Sequence, residues 1–252
     1  MLSNFDGLLV ALILLGPLLL LQRSLHRAVQ AVFLLLTRRK DVTLVLFSLL
    51  FAPGVLLHEV SHYLMALLLQ VRTGRFSLLP RTMPDGRLQL GYVETIQADF
   101  FRDALIGAAP LLTGGAFISY VGLGRLDLTT IWLALSSGDA RAVLWGVWRL
   151  PEYADFWLWF YLAFTVSSTM LPSPADRRAW LTFLLVILAL LALAWLVGMG
   201  PWLLENLAPL FNRVMQSLSV VLGISVALHS ILLPPIWLIQ RLLSRLTGLQ
   251  IV

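Results

Sequence analysis

VTLVLFSLLFAPGVLLHEVSHYLMALLLQ occupies residues 42–70, and its reading decides what kind of chain this is. As one helix the stretch would be about 44 Å long at 1.5 Å per residue, against a bilayer hydrocarbon core of about 30 Å. Pro53-Gly54 stands inside it and predicts a kink or a break. An apolar run of this length belongs in lipid. Yet it carries His58-Glu59-Val60-Ser61-His62, three ionisable side chains well inside the run. Such groups are costly at membrane depth and usually mark function.

Their spacing suggests which function. On a helix, positions i and i+4 share one face, so both imidazoles reach a single tetrahedral metal ion. Glu59 is offset from His58 by about 100° and can stand beside the metal's open position, where it takes a proton from bound water. The bland alternative is two hydrogen-bonded histidines and a neutral glutamic acid packing a helix bundle. Two histidines do not complete a zinc site, so a third ligand is required. Most other carboxylates belong to polar loops: Asp85, Glu94, Asp127 and Asp139. Asp176 ends the segment SSTMLPSPAD (167–176), whose prolines unwind a helix end and let a carboxylate turn inward. Pairing with Arg177 or Arg178 is the competing role for Asp176. His229, beside Ser225 and Ser230, is the substitute ligand, although a packing histidine is its simpler reading. His26 is expected at the membrane interface.

Composition agrees with lipid as the solvent. Of 252 residues, 59% are hydrophobic and 12% charged, where a soluble domain averages roughly 25% charged. The net charge of +5 rests on arginines in short loops beside apolar runs, a membrane-flanking pattern that argues against nucleic acid as a partner. With no cysteine, disulfides and thiolate metal sites are excluded.

The expected fold is an all-α polytopic membrane protein of about six transmembrane helices with a small membrane-associated β-hairpin, forming one membrane domain over residues 1–252. The spans are Leu8–Leu21, Val42–Gln70, Ala104–Leu123, Phe156–Leu171, Ala179–Gly198 and Ser217–Gln240, the last with Pro234-Pro235 near its end. Arg23–Lys40 is expected as a separate interfacial amphipathic helix. Leu126–Tyr153 reads as re-entrant or interfacial. The hairpin pairs Phe76–Leu79 with Leu88–Val93 across the turn Met83-Pro84-Asp85-Gly86. Basic residues divide evenly between the two sides, so the positive-inside rule sets no orientation. The chain is expected to be integral and multi-pass, in the cell membrane, with the lipid bilayer as its surroundings.

An H-E-x-x-H embedded in an apolar helix, followed by a proline-broken helix end and Asp176, resembles the site-2 protease family of intramembrane zinc metalloproteases. Gly107-Ala108-Ala109-Pro110 resembles the family's Gly-Pro-containing core helix, and Pro174-Ala175-Asp176 the end of its Asn-x-x-Pro-x-x-Pro-x-Asp-Gly segment. The likeness covers residues 42–180, with 1–41 and 181–252 as flanking helices. It implies Zn2+ held by His58, His62 and Asp176, Glu59 as catalytic base, and a membrane-protein substrate cut by zinc-activated water. Ser168 stands where the family usually has a substrate-positioning Asn. Arg177 replaces the usual Gly, Ala109 replaces the Gly before Pro110, and the first proline is shifted by one. These departures touch substrate handling and helix packing, not ligands. They favour, as an alternative, a non-proteolytic protein that keeps the zinc-protease fold. A cation transporter using the His/Glu/Asp cluster is a further alternative, for which two repeated halves would be expected and none is seen.

Overall fold

Nine α-helices and four short strands follow one another in a computed structural model that describes residues 5–77, 81–82, 88–96 and 98–249. Helix α1 (Asp6–Thr37) closes on Arg38 in the left-handed region, φ 54°, and α2 (Lys40–Leu68) follows. Strands β1 (Thr73–Ser77), β2 (Arg81–Thr82), β3 (Leu88–Gln89) and β4 (Tyr92–Thr95) come next. Helix α3 (Phe100–Ser119) is capped by Asp99, whose carboxylate accepts from the Phe101 and Arg102 amides, and it continues into a π-turn, Tyr120–Arg125. Then come α4 (Leu128–Ser136), α5 (Ala140–Arg149), α6 (Phe156–Thr169) and α7 (Trp180–Leu196). The short α8 (Gly200–Trp202) passes through a π-turn, Leu203–Leu207, into α9 (Ala208–Thr247).

Among the described residues, four stretches are long and apolar enough to cross a bilayer: Asp6–Thr37, Lys40–Leu68, Phe100–Arg125 and Gly200–Thr247. At 14 and 17 residues, α6 and α7 are shorter than these. Large apolar side chains cover the outside. Leu181, Leu184, Leu185 and Leu188 of α7 are all more than half exposed, and α7 buries none of its residues. Such a surface suits lipid and would aggregate in water.

The break expected between a first span and an amphipathic helix at Arg23–Lys40 is not there, because α1 runs unbroken. Leu18, Leu25, Ala28, Val29 and Leu35 form one buried stripe, while Arg23 and Arg27 are exposed on the opposite side. The arginines mark an outer face and not an end. Helix α1 packs along α9 over much of its length. The Gly7 amide donates to Asn212 Oδ1 at 2.8 Å, and Ser219 Oγ donates to the Gly7 carbonyl at 2.9 Å.

Pro53 likewise does not break α2. Phe47, Phe51 and Val55 continue a buried face across it, packed with Leu25, Val29 and Phe164. Gly54 lies against the Thr165 backbone of α6. Helix α2 thus sits between α3 and α6, which brings three separate chain segments to His58 and His62.

The hairpin forms, beginning earlier than expected, at Thr73. Strands β1 and β4 pair antiparallel with Phe76 opposite Val93 and Ser77 opposite Tyr92, while β2 and β3 pair Arg81 with Gln89. The expected strand residues Leu78 and Leu79 and the turn Met83–Gly86 lie outside the described residues. Strands β1 and β4 rest on α2.

Candidate metal centre

His58 and His62 share one face of α2, and their Nε2 atoms are 3.2 Å apart. Asp176, in the connection between α6 and α7, meets them: Oδ1 is 3.2 Å from His62 Nε2 and Oδ2 is 3.7 Å from His58 Nε2. One ligand atom from each of the three lies within 4.8 Å of the others, a group that can hold a metal ion. Tetrahedral bonds of about 2.0–2.1 Å require ligand atoms about 3.3 Å apart. The spacing fits.

The outer nitrogens decide what the inner ones present. His58 Nδ1 donates to the Thr169 carbonyl at 2.7 Å, and His62 Nδ1 donates to the Ile106 carbonyl at 2.8 Å. A carbonyl only accepts, so each Nδ1 carries hydrogen and each neutral ring keeps its lone pair on Nε2. Two lone pairs and a carboxylate therefore converge on one point. A cation among them satisfies all three: a metal ion, or a proton shared with Asp176.

Asp176 is held by its own loop. The Ser173 amide donates to Oδ2 at 2.7 Å, and the Asp176 amide donates to Ser173 Oγ at 3.3 Å. Arg177 does not pair with it; its Nε donates to the Ser173 carbonyl at 3.4 Å. Asp176 lies outside the membrane-length helices. Burial opposes its charge, but hydrogen bonds that His58 and His62 would donate when protonated at Nε2, together with the bond from Ser173, hold the carboxyl below the usual carboxylate range. The loop reaches the centre by docking its backbone on α3 at Gly107, where any side chain would collide with the Asp176 carbonyl. Trp180 Nε1 donates to the Ala104 carbonyl at 3.2 Å and pins the start of α7 to the same helix.

Glu59 is buried beside the ligands, 7% exposed. The backbone between β3 and β4 is pressed on it. A Cβ on Gly91 would stand 2.9 Å from Glu59 Cγ and 3.1 Å from its Oε1. Glycine is required here by that approach. His58 and Asp176 keep 14% and 15% side-chain exposure while His62 keeps 8%, so the centre opens on the His58–Asp176 side.

The other candidates lie elsewhere. Ser168 is buried, with its Oγ 3.0 Å from His229 Nε2, and its carbonyl accepts from Gln22 Nε2. His229 Nδ1 donates to the Ser225 carbonyl at 2.8 Å, so its Nε2 accepts from the Ser168 hydroxyl. His229 is thus a packing histidine inside the bundle. His26 packs edge-on to Phe47 and Phe51 with Nε2 buried and, among the described residues, without a hydrogen-bond partner. That is a core position and not an interfacial one. Sequence reasoning gave no site role to Thr169, Ile106 or Gly91, because they act through backbone or through lack of a side chain; it met Gly107 only within the Gly-Pro resemblance and Ser173 only within the proline-broken segment. Comparison with protein-family models, with curated proteins and with solved structures returned no match.

Proposed function

We propose that this chain is an intramembrane zinc metalloprotease of the site-2 protease type, acting on a membrane-embedded protein substrate. The observation that carries the proposal is the meeting of His58, His62 and Asp176, from segments more than a hundred residues apart, with both Nδ1 atoms tied to carbonyls. Two imidazoles and a carboxylate, with no thiolate, suit zinc. A zinc ion held there supplies a Lewis acid for the peptide carbonyl and a water acidic enough to react near neutral pH.

The chain's residues would do the rest. Glu59 accepts the proton of the attacking water on a carboxylate oxygen and delivers it to the nitrogen of the breaking amide. Water adds across the peptide bond, giving a carboxylic acid and an amine. The open side of the centre, between His58 and Asp176, admits water and the peptide. An apolar groove on α2, lined by Ser48, Ala52, Pro53, Val55, Leu56 and Leu90, offers room for apolar substrate side chains. A substrate helix must unwind before its peptide bonds are reachable. The hairpin edge on Glu59 is where an unwound segment pairs as an added strand. This proposal counts α6 and α7 as shorter crossings, for six spans in the cell membrane.

A second reading, a zinc-binding membrane protein without proteolysis, is favoured by one observation. The Ser168 hydroxyl, at the expected substrate-positioning place, is occupied by His229. One experiment separates the two. Metal content is measured for wild type, His58→Ala and Glu59→Gln, beside cleavage of model transmembrane peptides carrying helix-breaking residues. The protease proposal expects one zinc per wild-type chain, its loss in His58→Ala, and a Glu59→Gln protein that keeps zinc without turnover. Zinc without cleavage in wild type supports the second reading. Absence of metal sinks both.

A further inference from the structure

Both carbonyls that orient the metal-facing histidines are backbone acceptors without their ordinary helical donor. In α3, the Ile106 carbonyl would accept from the amide of residue 110, but residue 110 is proline and has no N–H. His62 Nδ1 takes that vacancy at 2.8 Å. Past the end of α6, the Thr169 carbonyl would accept from Ser173 if the helix continued. The Ser173 amide donates to Asp176 Oδ2 instead, and His58 Nδ1 donates to Thr169 at 2.7 Å. Between them, Pro172 removes the donor of Ser168, whose carbonyl accepts from Gln22. At these three places, where a helical donor is missing or diverted, a side chain from another helix has filled it.

We infer that Pro110 is a positioning residue for the metal centre, which leaves the Ile106 carbonyl free to orient His62. This rests on the metal-site proposal above and adds a cause to it. A buried carbonyl left without its donor is costly, and a helical carbonyl already satisfied by its own helix is a weaker partner for an imidazole. Proline at 110 settles the competition in favour of His62. The bond fixes the ring's tautomer and its rotation, so Nε2 faces His58 and Asp176. Outer partners of metal-bound histidines typically account for about 10- to 100-fold in metal affinity.

The test is a competition titration of zinc against a chromophoric chelator on the detergent-solubilised full chain. Pro110→Ala restores an N–H aimed at Ile106, and its zinc affinity is expected to fall about 10- to 100-fold. A second variant places the α-hydroxy-acid analogue of alanine at position 110, giving an ester with neither ring nor N–H. Recovery of affinity in that variant is the expected result, since it again leaves the Ile106 carbonyl without a helical donor but does not restore the proline ring. Pro234→Ala, an interior proline of α9 away from the ligands, is expected to bind zinc as wild type does. Wild-type affinity in Pro110→Ala overturns the inference. Equal weakening in the alanine and ester variants overturns it too, because the ring's packing would then be the cause. A wild-type chain that binds no zinc fails the metal-site proposal itself, and this inference with it.

Discussion

Replacing Gly107 by alanine tests the way Asp176 reaches the centre. The added Cβ would lie inside the envelope of the Asp176 carbonyl oxygen and 2.9 Å from its carbonyl carbon. The clash is with backbone, so no rotamer change relieves it. Helix propensity alone would favour alanine by about 0.5–1 kcal/mol, while overpacking costs about 1–3 kcal/mol, so the collision prevails or nearly cancels the gain. Helix α3 is buried and regular here, whereas residues 170–179 have no helix to hold them, so the loop yields. Reaching ordinary van der Waals separation moves the Asp176 backbone by about 1 Å, against a tolerance of about 0.2 Å for a metal–ligand bond. We expect zinc affinity to fall roughly 10- to 100-fold, the range of altered ligand support, with the loss in Asp176→Ala as the ceiling. Gly115→Ala on the same helix is the control. Its Cβ would meet Val221 at 3.8 and 3.9 Å, ordinary contact, so it should keep zinc affinity and gain about 0.5–1 kcal/mol of stability. Chelator competition and thermal unfolding in detergent read both quantities. Wild-type zinc affinity in Gly107→Ala would refute the docking of Asp176 on α3.

Two further substitutions separate catalysis from scaffolding. Gly91→Ala should lower cleavage while zinc stays bound, because its Cβ would crowd Glu59 Cγ at 2.9 Å and leave the ligands untouched; an unchanged cleavage rate would mean that the hairpin does not press on Glu59. Ser168→Ala should cost about 1–3 kcal/mol of stability by leaving His229 Nε2 buried without a donor, at unchanged zinc affinity. Lost cleavage at unchanged stability would return Ser168 to a substrate role.

How much of this was legible beforehand follows from where each piece of information is stored. His58, Glu59 and His62 were readable because helical spacing is a local property: one turn of α2 sets the common face of the two histidines and puts Glu59 beside it. Asp176 was readable because two prolines announce irregular backbone near a carboxylate, and the structure brings it to the histidines. The continuity of α1 was not. Arg23 and Arg27 look like a membrane boundary in one dimension, but in three they are one face of a helix whose other face packs along α9. The break allowed for at Pro53 does not occur either, since a proline removes one intrahelical bond while α2 packs against α3 and α6. Thr169 and Ile106 were out of reach for a different reason. They serve through carbonyl oxygens, which every residue has, so their own identities carry no sign of the role. What can be read is the residue that fails to donate. Pro110 stands one helical turn after Ile106, and Pro172 one turn after Ser168, and each vacated carbonyl receives a side chain from a distant helix. In a bilayer, where no water competes for an idle acceptor, a proline in or just past an apolar helix vacates a carbonyl four residues earlier, and at Ile106 and Ser168 that vacancy is what lets a distant helix supply the partner.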